Sequence, residues 1–374
     1  KALMAGTHTA RGAPLGGIFG VLGALVCLAL VAWMLGGPER FDTPEQTRPR
    51  PQGGVYRCAV PEPTTIQPLT QNGAVAERYV LRYTHDTLFD RDPVNGALRP
   101  AAAERVEAGE KPGEYLFLLR PELRFSDGSD LTAEDLEFLV RLAKHPRLEP
   151  KSGGARWLSR VDAEVVEGEA LALRVVLPNA SRKTFEQFAT TIPIIQAKGI
   201  QALVERQRPG LSTDSDEFVD VVSALRDSGP GTGPFQIREG QRIRDGSKAL
   251  DLVPNPHSWH RAGRPEHWNL AGIRQRYMDD PAAQRSAVLE QELDFLVPAD
   301  GTPESLLQKY PALAANYRVE KLRSSHLGCL FVGWNLRRPP LDRPEVRRLL
   351  GELFDREAVA KVAFQGAAEP SPGW

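Results

Sequence analysis

Chemistry in this chain would have to come from a few clusters. Four carboxylates, Asp127, Asp130, Glu134 and Asp135, fall within one stretch, LRPELRFSDGSDLTAEDLEFLVRL. Clustered carboxylates hold hard cations, and a calcium loop alternates its ligands regularly and closes on a Glu. That alternation is absent, and each acid has a local use instead. Asp127-Gly128 makes a tight turn. Thr132, with Asp135 three residues on, spells a capping box. Glu134 and Asp135 sit where a helix dipole favours negative charge. A second cluster, SGPGTGPFQI, is rich in glycine. A phosphate cradle would need a preceding strand and a GKS, GKT or GxGxxG ending that runs into a helix. Neither is present.

The cysteines are Cys27, Cys58 and Cys329, with no CxxC pair, which removes the usual zinc and redox motifs. Three cysteines neither require nor exclude an oxidising compartment. Ser, His, Asp and Cys occur without GxSxG, HExxH or a Cys-with-His pattern. No catalytic residue, metal or cofactor is expected, and the chain is read as a non-enzyme. Lys plus Arg total 47 against 48 Asp plus Glu, a net charge of -1. With no basic face or tail, no nucleic-acid partner is expected.

The apolar run LGGIFGVLGALVCLALVAWML, residues 15–35, carries no charge over its 21 residues. At about 1.5 Å per residue it spans a bilayer core. It is longer than a secretory signal's apolar region and ends in Trp33, Met34 and Leu35, a poor cleavage site. Leu25 and Val26 before Cys27 lack the small residues of a lipoprotein signal. One uncleaved transmembrane helix is expected, with residues 1–14 as its flank. Lys1 and Arg11 precede the run, which keeps that side cytoplasmic and the body outside. Residues 36–54 are rich in Pro, Gly and charge and read as a flexible tether.

The soluble body has the punctuation of a loop-rich α/β protein. Strands are expected at 55–60, at 114–120, in a hairpin over 160–178 turning at 167–169, after the Gly-rich loop, and at the start of LDLVPNPHSWH. Apolar spacing from Val75 to Leu88 predicts a helix, and 90–96 is a turn cluster. Leu136, Leu139, Val140 and Ala143 predict the inward stripe of a helix that Thr132 caps. A helix begins in SRKTFEQF and ends near Pro193. Residues 281–296 read as a helix running into a strand. The last part gives a strand to Asn335, a Pro-Pro turn and two helices split near Asp355.

Five collinear segments now carry a resemblance. TTIQP resembles a T-x-L-D-P start, with Gln67 in place of its Asp. LFDRDPVNGALRPAAAERVE is similar to an L…P-x-L-A-E segment. YLFLLRPELRFSDGSDLTAEDLEF resembles a strand, F-x-DG and T-A-x-D series. GTGPFQI with LVPNPHSWH resembles a GTGPY and N-x-x-Y-W pair, with Ser258 before Trp259 where an aromatic usually stands. WNLRRPPLDRPEVRRLLGELFDREAV is similar to N-x-x-x-x-P-x-x-D-x-x-V-R. Together, over residues 55–374, they resemble the family 5 extracellular solute-binding proteins, which take peptides, nickel complexes and related solutes to ABC importers.

The resemblance implies an α/β, class II periplasmic-binding-protein-like fold whose two lobes close around a solute. It implies a discontinuous lobe I at 55–88 and 230–325, an inserted subdomain at 89–229, and a second lobe starting at 326–374. Members run on into a further region, so the second lobe is expected to be incomplete, in a fragment or a reduced protein. Peptide binders hold the ligand backbone by strand-like hydrogen bonds. The matching backbone here is Asn72, Gly73 and Ala74. His326, Phe331 and Gly333 correspond to pocket-facing positions, and Val297 and Pro298 to a flanking loop. The expected partners are a peptide or similar small solute, ABC permease subunits and the membrane through the N-terminal helix. A membrane-anchored interaction or sensory module on the same scaffold is the alternative.

Overall fold

The computed structural model describes residues 53–66, 75–92, 96–148, 157–260, 269–297, 303–319 and 332–363. Residues 15–35, read above as a membrane helix, lie outside them. Among the described residues no helix is long and apolar enough to cross a membrane.

In chain order the strands are β1 (Val55–Val60), β2 (Phe89–Arg91), β3 (Leu98–Pro100), β4 (Ala103–Ala108), β5 (Glu114–Leu119), β6 (Asp162–Val166), β7 (Glu169–Val176), β8 (Phe235–Ile237), β9 (Ala249–Pro254) and β10 (Gly272–Tyr277). Helices α1 (Val75–Thr84), α2 (Ala133–Ala143), α3 (Arg182–Thr191), α4 (Ala197–Gln207) and α5 (Asp216–Ala224) run between them. After β10 come α6 (Pro281–Leu289), α7 (Pro303–Lys309), α8 (Pro344–Glu352) and α9 (Arg356–Ala363). The chain divides into two compact units, with both four-stranded sheets in the first, which ends at Asp279.

The first sheet has the order β1-β10-β9-β8, with β1 parallel to β10 and the other pairs antiparallel. Its core gathers Val60, Ile66, Val80, Leu81, Phe235, Leu250, Leu252 and Ile273. The second sheet, β4-β5-β7-β6, is antiparallel throughout and lies in sequence between β1 and β8. Strand β5 alternates strictly, so Tyr115, Phe117 and Leu119 share one buried face. Phe185 and Phe188 from α3 meet them, with Phe117 stacked on Phe185 at 6.0 Å and Tyr115 at 4.9 Å from Phe185. Helix α2 buries the expected Leu136, Leu139, Val140 and Ala143, and adds Phe138 and Leu142. The hairpin turn between β6 and β7 falls on Gly168, whose φ of 78° suits glycine.

Two expected strands are not seen among the described residues. Beyond α6, Gln291 takes a φ of 59° and residues 292–297 form no strand. No described neighbour offers this segment a ladder. Instead the Tyr317 hydroxyl lies 2.6 Å from the Leu293 carbonyl and 3.1 Å from that of Val288. The strand expected to run up to Asn335 lies mostly outside the described residues, and its described end, 332–335, is irregular. The two helices after the Pro-Pro turn do form, as α8 and α9. They leave Leu349 63%, Leu353 79% and Val362 79% exposed. Gly351 sits inside α8 with open space where a side chain would go. Gly351→Ala is therefore expected to stabilise the second unit by about 0.5 kcal/mol, read as a higher denaturant midpoint. A lower midpoint would show that the site is crowded.

Candidate functional site

The residues read as ligand contacts are mostly beyond what the structure describes. Asn72, Gly73, Ala74, Pro298, His326 and Phe331 fall outside the described residues. Val297 is 68% exposed at the end of a described segment, and Gly333 is exposed in the irregular stretch before α8.

The structure does bring two of the quoted motifs together, the F-x-DG stretch and the GTGPF and NPHSWH pair, at a joint in the first unit. Helix α1 runs out at Thr84, whose hydroxyl donates to the Val80 carbonyl at 3.1 Å. That hydroxyl's proton is used, so His85 Nδ1, 2.8 Å from Thr84 Oγ1, carries the hydrogen and donates to it. His85 Nε2 is then the bare nitrogen. It is buried with no hydrogen-bond partner. Asp86 follows, its side chain 6% exposed. It accepts from Trp259 Nε1 at 2.9 Å and faces His260 Nε2 at 2.6 Å. The Trp259 and His260 rings stack at 4.1 Å, and the Arg120 guanidinium lies 4.7 Å above the Trp259 ring.

The GTGPF loop closes over this corner. Gly233 N–H donates to the Thr84 carbonyl at 2.9 Å, and Asp86 N–H donates to Thr232 Oγ1 at 3.1 Å. On its other side Gly231 accepts from Ser126 N–H at 2.9 Å. A side chain on Gly231 would lie 1.9 Å from the Thr84 carbonyl oxygen, which explains glycine there. Buried Asn255 fixes the loop's exit, donating to the Gly233 carbonyl at 2.9 Å and accepting from His257 N–H at 3.0 Å.

The acidic cluster belongs to the same corner, and three of its carboxylates have direct partners. Asp127 accepts from Ser129 N–H and Oγ, at 3.0 and 2.7 Å, and from Gln196 Nε2 at 3.0 Å. Burial pushes its pKa up, but the hydrogen bonds from Gln196 and Ser129 outweigh this and leave it below the usual carboxylate range. Asp130 pairs with Arg124 at 3.1 Å. Asp135 makes the capping contact, accepting from Thr132 N–H at 3.0 Å, and also takes Ala197 N–H at 2.8 Å at the start of α4. Burial raises its pKa against those two bonds. These carboxylates fasten a turn, a strand end and two helix starts.

Sequence reasoning missed Asp86, Thr232, Asn255, Gln196 and His260 as members of this joint. The signal available was positional: Thr232, Asn255 and His260 lie inside or next to motifs already quoted. Asp86 and Gln196 carried no local signal, because their partners are distant in sequence.

Residues 97–374 match the family described as bacterial extracellular solute-binding proteins, family 5 Middle. The chain belongs to this family. Family 5 proteins are solute-binding components and not enzymes. Among curated proteins the chain is similar to the glutathione-binding protein GsiB of Escherichia coli strain 536, with 24% identity over 312 residues, covering 83% of this chain and 54% of that protein. GsiB of Salmonella typhimurium is 23% identical over 310 residues, with the same coverage. The chain thus spans about half the length of the curated relatives it matches. The oligopeptide-binding protein AppA of Bacillus subtilis, solved with a nonapeptide, shares the fold at a TM-score of 0.58 and 18% identity, over 87% of this chain and 59% of AppA. NikA of Brucella suis, solved with Fe(III)-EDTA, shares it at 0.59 and 14%, over 84% of this chain and 57% of NikA. The family 5 α/β fold is therefore shared with binders of chemically different solutes.

Proposed function

We propose that this chain is the solute-capturing component of an ABC importer and that its solute is a peptide or peptide-like molecule. The observation that carries the reading is the family match across residues 97–374. The likeness to GsiB, a glutathione-binding protein, supports a peptide-like solute. The working protein faces outward, held by residues 15–35, and hands its solute to permease subunits. Asn72, Gly73 and Ala74 supply backbone hydrogen bonds. His326, Phe331, Gly333, Val297 and Pro298 supply further contacts as two lobes close on the solute. Lobe I takes 55–88 and 230–325, with 89–229 inserted, and 326–374 begins lobe II. The interaction-module alternative draws no support from these relatives.

Thermal unfolding tests the reading, with glutathione, di- to nonapeptides, free amino acids and metal chelates added in turn. A bound solute at about a hundred times its Kd adds about 2.7 kcal/mol, an upward Tm shift of about 3–4 °C for a chain of this length. A saturable shift with a peptide class, and none with amino acids, is expected. A shift with metal chelates alone would overturn the peptide assignment, and no shift with any member would overturn solute capture by this chain.

A further inference from the structure

We propose that His85 makes the joint between the two sheets a pH-sensitive latch. On acidification the end of α1 releases the Gly231–Gly233 loop while both sheets stay folded.

The geometry sets this up. His85 Nδ1 is committed to Thr84 Oγ1, so the next proton must go to Nε2, which is buried and has no acceptor in reach. A cation there would be buried without a partner, a state that opens rather than persists. Among the described residues the charged group beside it is Asp86, whose carboxylate is turned to Trp259 and His260. The covering loop, GTGPF, has no titratable side chain. Further out, the 255–260 turn contributes His257 and His260, the 125–130 hairpin Asp127 and Asp130, strand β5's end Arg120, and α1 contributes Arg82 and Tyr83. Four of these are already occupied: Asp127 by Gln196, Asp130 by Arg124, Arg120 by the Ala101 carbonyl and His260 by Asp86.

Opening at this place is local. The loop is held to α1's end by Gly233 N–H to Thr84 and Asp86 N–H to Thr232, not by a strand ladder. Each sheet keeps its own core when those bonds break. Burial pushes His85 from 6.5 down to about 4, with Asp86 opposing weakly. An opened His85 regains its ordinary affinity for protons. The closed state is thus fully favoured above about pH 6.5 and loses ground as pH falls toward 4.

Hydrogen exchange on the full chain tests the latch, corrected for intrinsic rates. Between pH 7.5 and pH 5, opening of the segments around 80–88 and 229–236 is expected to rise about 30-fold. Segments 115–119 and 169–176 serve as controls and should hold their protection. His85→Asn keeps a donor near Nδ1 and cannot titrate, so its exchange should be flat over this range. An equal acid response in His85→Asn, or one abolished by His260→Asn and not by His85→Asn, would overturn the proposal. If His85→Asn does not fold, proton NMR of the wild-type histidines decides. One imidazole staying neutral to below pH 5 supports the latch, and ordinary titration of every histidine refutes it.

Discussion

Gly231→Ala is expected to cost more than about 3 kcal/mol and to leave little folded protein. The methyl group would arrive 1.9 Å from the Thr84 carbonyl oxygen and 3.0 Å from His85 Cε1. The nearest obstacle is backbone, so no flexible side chain can give way. Either α1 or the loop must move, which breaks the Gly233 and Thr232 bonds to residues 84 and 86. Overpacking a filled site typically costs about 1–3 kcal/mol, and backbone collision lies at or beyond the upper end. Gly168→Ala is the matched control: it has open space and a φ of 78°, so only backbone strain of about 1 kcal/mol applies. Denaturant midpoints of the two variants give the comparison. Equal midpoints would mean that the loop is not clamped at Thr84.

Asp86→Ala has the second large effect. The aspartate is buried and serves two donors at once, Trp259 Nε1 at 2.9 Å and His260 Nε2 at 2.6 Å. Removing it strands a buried indole N–H and leaves the imidazole without its acceptor. Loss of one member of a buried hydrogen-bonded pair costs about 3–5 kcal/mol, most of it from the groups left behind. Asp86→Asn keeps an acceptor for Trp259 and should lose clearly less. A double-mutant cycle with His260→Ala isolates the pair. Coupling below about 0.5 kcal/mol would show that Asp86 serves Trp259 alone.

Both variants bear on why part of this fold was legible in the sequence. Signals contained in one short segment came through. The apolar run YLFLL gave β5, the Thr132–Asp135 spacing gave the start of α2, and Gly168 marked the β6–β7 turn. Elements fixed by distant partners were harder. Strand β10 reads GIRQRY, half of it polar, because Arg274 bridges to Asp251 on β9 and Gln275 reaches across to the Tyr79 carbonyl. Helix α4 contains Gly199, which breaks the apolar pattern. An added side chain there would meet Gln196 at 2.6 Å. The strand expected after α6 had the composition of a strand without a described neighbour to pair with.

The candidate site was legible in a different way. The five collinear motifs identified the family, yet two of them build a joint: Gly231, Gly233 and Asn255 hold backbone, and Asp127 and Asp135 tie turns to helix starts. Motifs of this kind persist as a pattern because collisions and buried hydrogen bonds tolerate few residue types, whatever solute the protein carries. Solute-facing positions have no such local rule, and their assignment rests on the family resemblance.

The most direct measurement for the central claim is native mass spectrometry of the full chain with a defined peptide library. Solute capture predicts one retained peptide per chain, saturating with concentration and displaced by a second peptide of the same class. A chain that retains no peptide of any length, while remaining folded, would contradict it.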